Sequence, residues 1–190
     1  GIEARKVPAR VQVCLKDGTP LSDAQIKVTQ KSHDFFHGAN IFMLDELESP
    51  EKNARYREDF ARVFNMATLP FYWADLEPNP GELRFAKDSR KIYRRPAPDL
   101  CIEYCHETGI TPKLHCLNYD QWTPLWVPRH DVAEVKRMLE KRISEIAARY
   151  GDAIHCMEVI NETLCEYSTW QKQCRWSTDL FWEDDLIEWS

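Results

Sequence analysis

GDAIHCMEVINETL, residues 151–164, is the stretch whose reading decides the fold. Gly151 ends the helical pattern before it, as a glycine after a last periodic residue does. Ile154 to Ile160 then reads as a short apolar strand that finishes on Asn161 and Glu162. An unpaired carboxylate costs several kcal/mol to bury. Barrel enzymes, however, set their chemistry at the ends of parallel strands. Glu162 is therefore either a solvated turn start or part of a site, and the remainder of the chain has to choose.

Upstream, Val132, Val135, Met138, Leu139, Ile143 and Ile146 recur at helical spacing from about Asp131 to Tyr150. Glu134, Lys136, Arg137, Glu140, Lys141 and Arg142 read as the opposite, polar side. "ITPKLHCLNY" is a strand before that helix, and "TPLWVPRH" a loop between them. Pro96-Ala97-Pro98-Asp99 opens another helix, closed by Gly109. "FNMATLPF" reads as a buried strand and "EPNPGELRF" as a turn-rich loop. Ser49 is placed to cap a further helix, with Pro50 in its first turn and Tyr56, Phe60, Val63 and Phe64 on one face. "FFHGANIF" is a short strand in which Gly38 permits close backbone approach. At the start, Val11-Val13-Leu15 and Ile26-Val28 alternate around Asp17-Gly18, the pattern of a hairpin. Beyond residue 164 a loop rich in Trp, Gln and Cys leads to a helix expected from about Thr178.

The order is a hairpin over residues 1–35, then strand and helix four times over residues 36–190. Such alternation implies parallel strands joined by right-handed crossovers. The expected class is α/β of the TIM (β/α)8-barrel type, with about the first four βα units present after a β-hairpin. A doubly wound, flavodoxin-like sheet is the alternative. The chain opens at Gly1 and stops at "DDLIEWS" inside an apparent helix, which reads as a processed or excised form.

Composition narrows the function classes. Of 190 residues, 43% are hydrophobic and 29% charged, which suits a packed domain rather than a disordered chain. The net charge of −6 opposes nucleic acid as a partner. The one basic cluster, Arg84, Lys87, Arg90, Lys91, Arg94 and Arg95, lacks a glycine-rich phosphate loop and reads as a solvated face. No apolar run is long enough for a membrane helix. Seven cysteines cannot all pair within the chain, no CxxC spacing suggests zinc, and buried free thiols are expected, including Cys101 and Cys105. Seven Trp, seven Tyr and eight Phe are many, and those in "PFYWADLEP" and "QWTPLW" sit in loops, where flat rings can meet sugars.

Polar residues collect at the strand ends: Asn40, Thr68, His115 with Tyr119, and Asn161 with Glu162. In a barrel these ends share one mouth. Singly, His115 has an ordinary reading as a satisfied core histidine and Asn161-Glu162 as a turn. Glu158 shares a strand face with Glu162. On a barrel interior it needs a cationic partner, and a scaffold role is expected for it.

Three stretches resemble one family. "WADLEPNPGELRF" is similar to the W-x-x-x-E-P-x-x-G-x-F-x-F segment of glycoside hydrolase family 10, the β-1,4-xylanases. "HCLNYDQWTPLW" resembles its H-T-L-V-W-H-x-Q-x-P-x-W, and "MEVINE" its W-D-V-V-N-E, in the same order. The resemblance runs from about Phe36 to the end of the chain. It implies a (β/α)8 barrel cleaving internal bonds of xylan with retention, without metal or organic cofactor. By resemblance Glu162 is the general acid/base, Asn161 binds the 2-hydroxyl of the sugar at the cleavage point, and His115 touches the same sugar. A retaining site needs a second carboxylate about 5–5.5 Å away, and an acid with a raised pKa, here through partial burial beside that nucleophile. The family's nucleophile lies on a seventh strand, and no residue of this chain takes that part.

The chain departs from the family at sugar contacts. Thr68, Leu69 and Tyr72 stand for Glu, Asn and Lys, Tyr119 for a Trp, Asp120 for a His, and Trp122 for a Gln. Tyr72, Tyr119 and Trp122 are expected to replace hydrogen bonds with stacking, and Asp120 joins them as a candidate contact. Two other functions follow from these departures: a barrel glycosidase for another β-glucan or decorated xylan, and a catalytically incomplete carbohydrate-binding or partner-dependent module. The expected partner is a β-1,4-linked polysaccharide or oligosaccharide, not nucleic acid or membrane, with a second chain or a C-terminal half completing the barrel. A polymer substrate places the protein outside the cytoplasm.

Overall fold

The computed structural model describes residues 3–162. The helix expected from Thr178, and Cys165 and Cys174, lie outside those residues. The chain divides into two units, residues 1–34 and 35–190.

In the first unit the expected hairpin reduces to a tight turn. Around Asp17-Gly18, Leu15 N–H donates to the Thr19 carbonyl at 2.8 Å and Leu21 N–H to the Val13 carbonyl at 2.9 Å. One antiparallel bridge joins Cys14 and Pro20. Val11, Leu15, Ile26 and Val28 remain exposed. Alternation supplied one-faced segments, but two strands alone cannot bury a face. Pro20 also has no N–H with which to extend the ladder.

The second unit carries β1 (Gly38–Asn40), α1 (Pro50–Val63), β2 (Met66–Pro70), α2 (Trp73–Leu76), α3 (Pro98–Thr108), β3 (Thr111–Asn118), α4 (Val132–Tyr150) and β4 (Cys156–Ile160). The four strands are parallel and lie in the order β1-β2-β3-β4. That sequential order is what a barrel requires, whereas a flavodoxin-like sheet would place its second strand outside its first.

Local chemistry sets the ends. The Ser49 hydroxyl accepts the Lys52 N–H at 3.3 Å and starts α1. Gly109 takes φ 69° and closes α3 through the left-handed region. Asp131 caps α4 by accepting the Glu134 N–H at 3.1 Å. Asn65 aligns the start of the sheet, accepting from His37 N–H at 2.7 Å and donating to the Phe35 carbonyl at 2.9 Å. Gly38 opposes Met66, and a Cβ there would stand 2.7 Å from the Met66 carbonyl oxygen.

Along β2 and β3, Ala67, Leu69, Leu114 and Cys116 are buried in the core with Phe60, Tyr104 and Ile146. By alternation the other face carries Thr68, Lys113 and His115, with Glu158 in register opposite His115. The peptide His115–Cys116 is cis, and the β3–β4 register shifts between His115 and Asn118.

Two expectations about cations fail here. Arg142 is not on the polar side of α4. It falls on the stripe Val135, Leu139, Arg142, Ile146, Tyr150 and is 4% exposed. Its guanidinium donates to the carbonyls of Leu117 (3.0 Å), Cys116 (3.4 Å) and Phe71. Burial pushes its pKa down to about 10. In the basic cluster Lys87, Arg90, Lys91 and Arg94 are solvated, but Arg84 is 2% exposed. It donates to the carbonyls of Asp75 (2.6 Å), Arg90 (2.7 Å) and Arg95 (3.4 Å). Backbone acceptors, not solvent, satisfy these two charges.

Candidate active site

The C-terminal ends of β2, β3 and β4 bring most of the candidate residues together. At the lower level Glu158 Oε2 receives Lys113 Nζ at 2.8 Å and His115 Nδ1 at 3.0 Å. Burial alone would raise the Glu158 pKa. The Lys113 and His115 hydrogen bonds and charges outweigh it and hold the carboxyl below its ordinary value. Glu158 thus has the cationic partner a scaffold carboxylate needs. His115 Nε2 lies 3.1 Å from the Tyr72 hydroxyl, so the imidazole joins the ion pair to the ring above it.

Tyr72 follows β2 and is 8% exposed. Its ring meets Trp122 at 4.9 Å, His115 at 5.3 Å, Phe42 at 5.9 Å and Tyr119 at 6.1 Å between centroids. Burial raises its pKa, partly offset by the Arg95 charge. With so little surface left, Tyr72 is a floor for other rings rather than a platform for a sugar. Trp122 closes a short turn begun by Asp120 and is half-buried. The side chain of Asp120 lies outside what the structure describes.

At the upper level the Tyr119 hydroxyl donates to Glu162 Oε2 at 2.5 Å. Glu162 has φ 56°, a left-handed conformation uncommon for a residue with a side chain. Such strain concentrates at functional positions. Asn161 enters through its backbone, its N–H donating to the Asn118 carbonyl at 3.0 Å. Glu162 is exposed, so the described residues do not supply the partial burial expected around it. Asn40 and Thr68 sit side by side in the β1–β2 register, with Lys113 next to Thr68.

The motif residues outside this group brace it. Trp73 Nε1 donates to Glu77 Oε2 at 2.9 Å, Glu77 Oε1 accepts the Gly81 N–H at 2.8 Å, and Trp126 Nε1 donates to the Glu77 carbonyl at 3.1 Å. Trp73 and Trp126 meet edge to face at 5.9 Å. Two segments distant in sequence meet at Glu77, one at its carboxylate and the other at its backbone carbonyl. Sequence reasoning missed Lys113 and the Arg95–Asp75 pair. Lys113 was legible in principle, because it alternates with His115 and so shares its face.

The site thus offers one accessible carboxyl with a hydroxyl donor, an imidazole fixed by a carboxylate, and a half-buried indole. Among the described residues no group of acidic, histidine and cysteine side chains could hold a metal ion.

Comparison with known proteins bears on the fold and the family. The profile of Glycosyl hydrolase family 10 matches residues 39–189. Endo-1,4-beta-xylanase 2 of Arabidopsis thaliana is 25% identical over 162 residues, which cover 80% of this chain and 14% of that protein. Among solved structures, "GH10 from Paenibacillus barcinonensis" superposes with TM-score 0.59 at 17% identity, over 80% of this chain and 42% of that one. Xylanase B from Clostridium stercorarium F9 gives TM-score 0.54 at 18% identity, over 77% and 46%. The chain therefore spans less than half the length of these relatives. Their fold is the (β/α)8 barrel, and the four-stranded parallel sheet is part of one.

Proposed function

The chain belongs to glycosyl hydrolase family 10, and from that premise we propose that it carries the acid/base half of a retaining endo-β-1,4-xylanase site. Glu162 protonates the leaving glycosidic oxygen and then, as carboxylate, takes a proton from the attacking water. Asn161 contacts the 2-hydroxyl of the sugar at the cleavage point, and His115, fixed by Glu158, faces the same sugar. Trp122 and Tyr119 line the path of the polymer and Asp120 stands beside them. The nucleophile is a second carboxylate outside this sequence, supplied by a further part of the polypeptide or by a second chain that completes the barrel.

The observation that carries the reading is Glu162 at the end of β4, its carboxylate held by the Tyr119 hydroxyl at 2.5 Å. A strand-end carboxyl with one fixed donor and solvent access can exchange a proton with a bound oxygen. Substrates of this size imply work outside the cytoplasm. Among the described residues no helix is long and apolar enough to cross a membrane.

The test is Glu162→Gln in the polypeptide that closes the barrel. Xylan hydrolysis should fall by about 10²–10⁴-fold, the usual contribution of a positioned acid/base, with xylo-oligosaccharide binding retained. Unchanged hydrolysis would remove Glu162 from the chemistry. A binding module without catalysis is the second reading, favoured by the replacement of sugar-binding polar groups at Thr68, Leu69 and Tyr72. It predicts oligosaccharide binding with no bond cleavage in any assembled form.

A further inference from the structure

Arg95 was expected in a solvated basic face. The structure seats it against the aromatic floor of the site instead. Its guanidinium carbon stands 4.4 Å from the centre of the Tyr72 ring, 4.5 Å from that of Trp122 and 5.5 Å from that of Phe42. Nε donates to Asp75 Oδ2 at 2.6 Å, and both side chains are only 13% exposed. Asp75 belongs to α2, and the buried Arg84 bonds the backbone carbonyls of both Asp75 and Arg95. The guanidinium is thus held by the Asp75 carboxylate, while Arg84 ties together the backbones that carry both residues.

This arrangement bears on Trp122. The indole stands at the end of a three-residue turn, where its backbone N–H donates to the Tyr119 carbonyl at 2.9 Å, and that bond fixes the main chain but leaves the ring to its neighbours. Its neighbours on the protein side are Tyr72 and Arg95. A guanidinium is planar, weakly hydrated and suited to lie on aromatic faces. A stacking wall contributes most when it is ordered before the ligand arrives, because the ordering cost is then not charged against binding.

We propose that Arg95, braced by Asp75, is a positioning residue that fixes the Trp122 indole as the stacking wall for the xylan chain beside Glu162. This deepens the proposed function and rests on it for the identity of the ligand. Arg95 itself does not touch the sugar. It replaces, through Trp122, the orientation that hydrogen-bonding side chains would otherwise impose, and it selects for chains that present flat sugar faces.

The experiment compares Arg95→Lys and Asp75→Asn with the parent protein and uses two readouts. The first is free of ligand: the indole N–H resonance of Trp122, assigned by its loss in Trp122→Phe. The second is calorimetric binding of xylohexaose. The resonance should shift or broaden in both variants while the thermal midpoint stays close to the parent. Xylohexaose affinity should fall about three- to tenfold in Arg95→Lys, the scale of a lost cation–π contact and its ordering. An unmoved resonance in both variants overturns the proposal, because a purely structural salt bridge would lower the midpoint without touching that signal. Loss of folding in both variants assigns the pair to stability and overturns it too. If the resonance moves but the parent protein binds no xylohexaose, the stacking reading of the site falls, and the sugar-directed role of Arg95 with it.

Discussion

Replacing Arg142 by Met keeps an unbranched side chain of similar length and removes the charge. The guanidinium has two firm acceptors, Leu117 O at 3.0 Å and Phe71 O, and a weaker third in Cys116 O at 3.4 Å. Hydrogen bonds from a charged donor contribute roughly 1.5–3 kcal/mol each, so the two firm bonds amount to roughly 3–6 kcal/mol. Burying the cation costs part of this, and the fall of its pKa from 12.5 to about 10 puts that cost on the order of 3 kcal/mol. Methionine removes the cost but strands the carbonyls, each at roughly 1–3 kcal/mol where water does not reach. The expected net loss is about 3–5 kcal/mol, the range seen when one side of a buried charged interaction is removed. For a chain of this size that lowers Tm by roughly 6–20 °C. Far-UV circular dichroism during heating at pH 7 measures it. Arg142→Lys should recover only part, since an ammonium cannot reach three diverging carbonyls. A midpoint for Arg142→Met indistinguishable from the parent would refute the reasoning and mean that solvent satisfies these carbonyls.

Three further outcomes follow from the same physical chemistry. Burial pushes the Cys105 and Cys116 thiols up to about 12, so the folded chain keeps protons that the unfolded chain releases near 9. Stability should therefore fall between about pH 9 and 12, by about 1.4 kcal/mol per pH unit for each thiol, and urea midpoints in Cys116→Ala should show a shallower fall. For Glu158 the folded pKa is lowered, so its contribution is present above its unfolded value of 4.5 and is lost as pH falls below it. Part exposure limits the effect to roughly 1 kcal/mol, and an acid limb unchanged in Glu158→Gln would assign it elsewhere. Gly38→Ala places a Cβ 2.7 Å from the Met66 carbonyl oxygen, so it should cost about 1–3 kcal/mol; an unchanged Tm would show that β1 can shift.

Features written in local chemistry were legible before the structure. The Ser49-Pro50 start, the Gly109 stop and the close approach at Gly38 depend on residues a few positions apart or on a missing side chain. The end of β4 just before Asn161 and Glu162 was legible because alternation and length fix where a strand stops, whereas His115 lies inside β3 rather than at its end. The cations were not. Arg142 and Arg84 are satisfied by backbone carbonyls, which carry no signature in the sequence, and Arg142 sits one step round the helix from where hydropathy placed it. Tyr72 read as a free aromatic surface because its four neighbours come from other parts of the chain. The alternation around Asp17-Gly18 marked the turn but not the extent of pairing, which among the described residues is one antiparallel bridge, Cys14 to Pro20.

The sheet order β1-β2-β3-β4 also has a consequence in time. Every strand pairs with the one made just before it, and no described pairing waits for a later segment. As the chain leaves the ribosome, at about 5–20 residues per second, each new strand meets a finished template, and the helix between them closes only a short loop. Growth is therefore vectorial, with the most recently made strand as the sticky end. Synthesis order itself guards against mispairing between strands, and the unpaired backbone at any moment lies at two edges, the newest strand and β1.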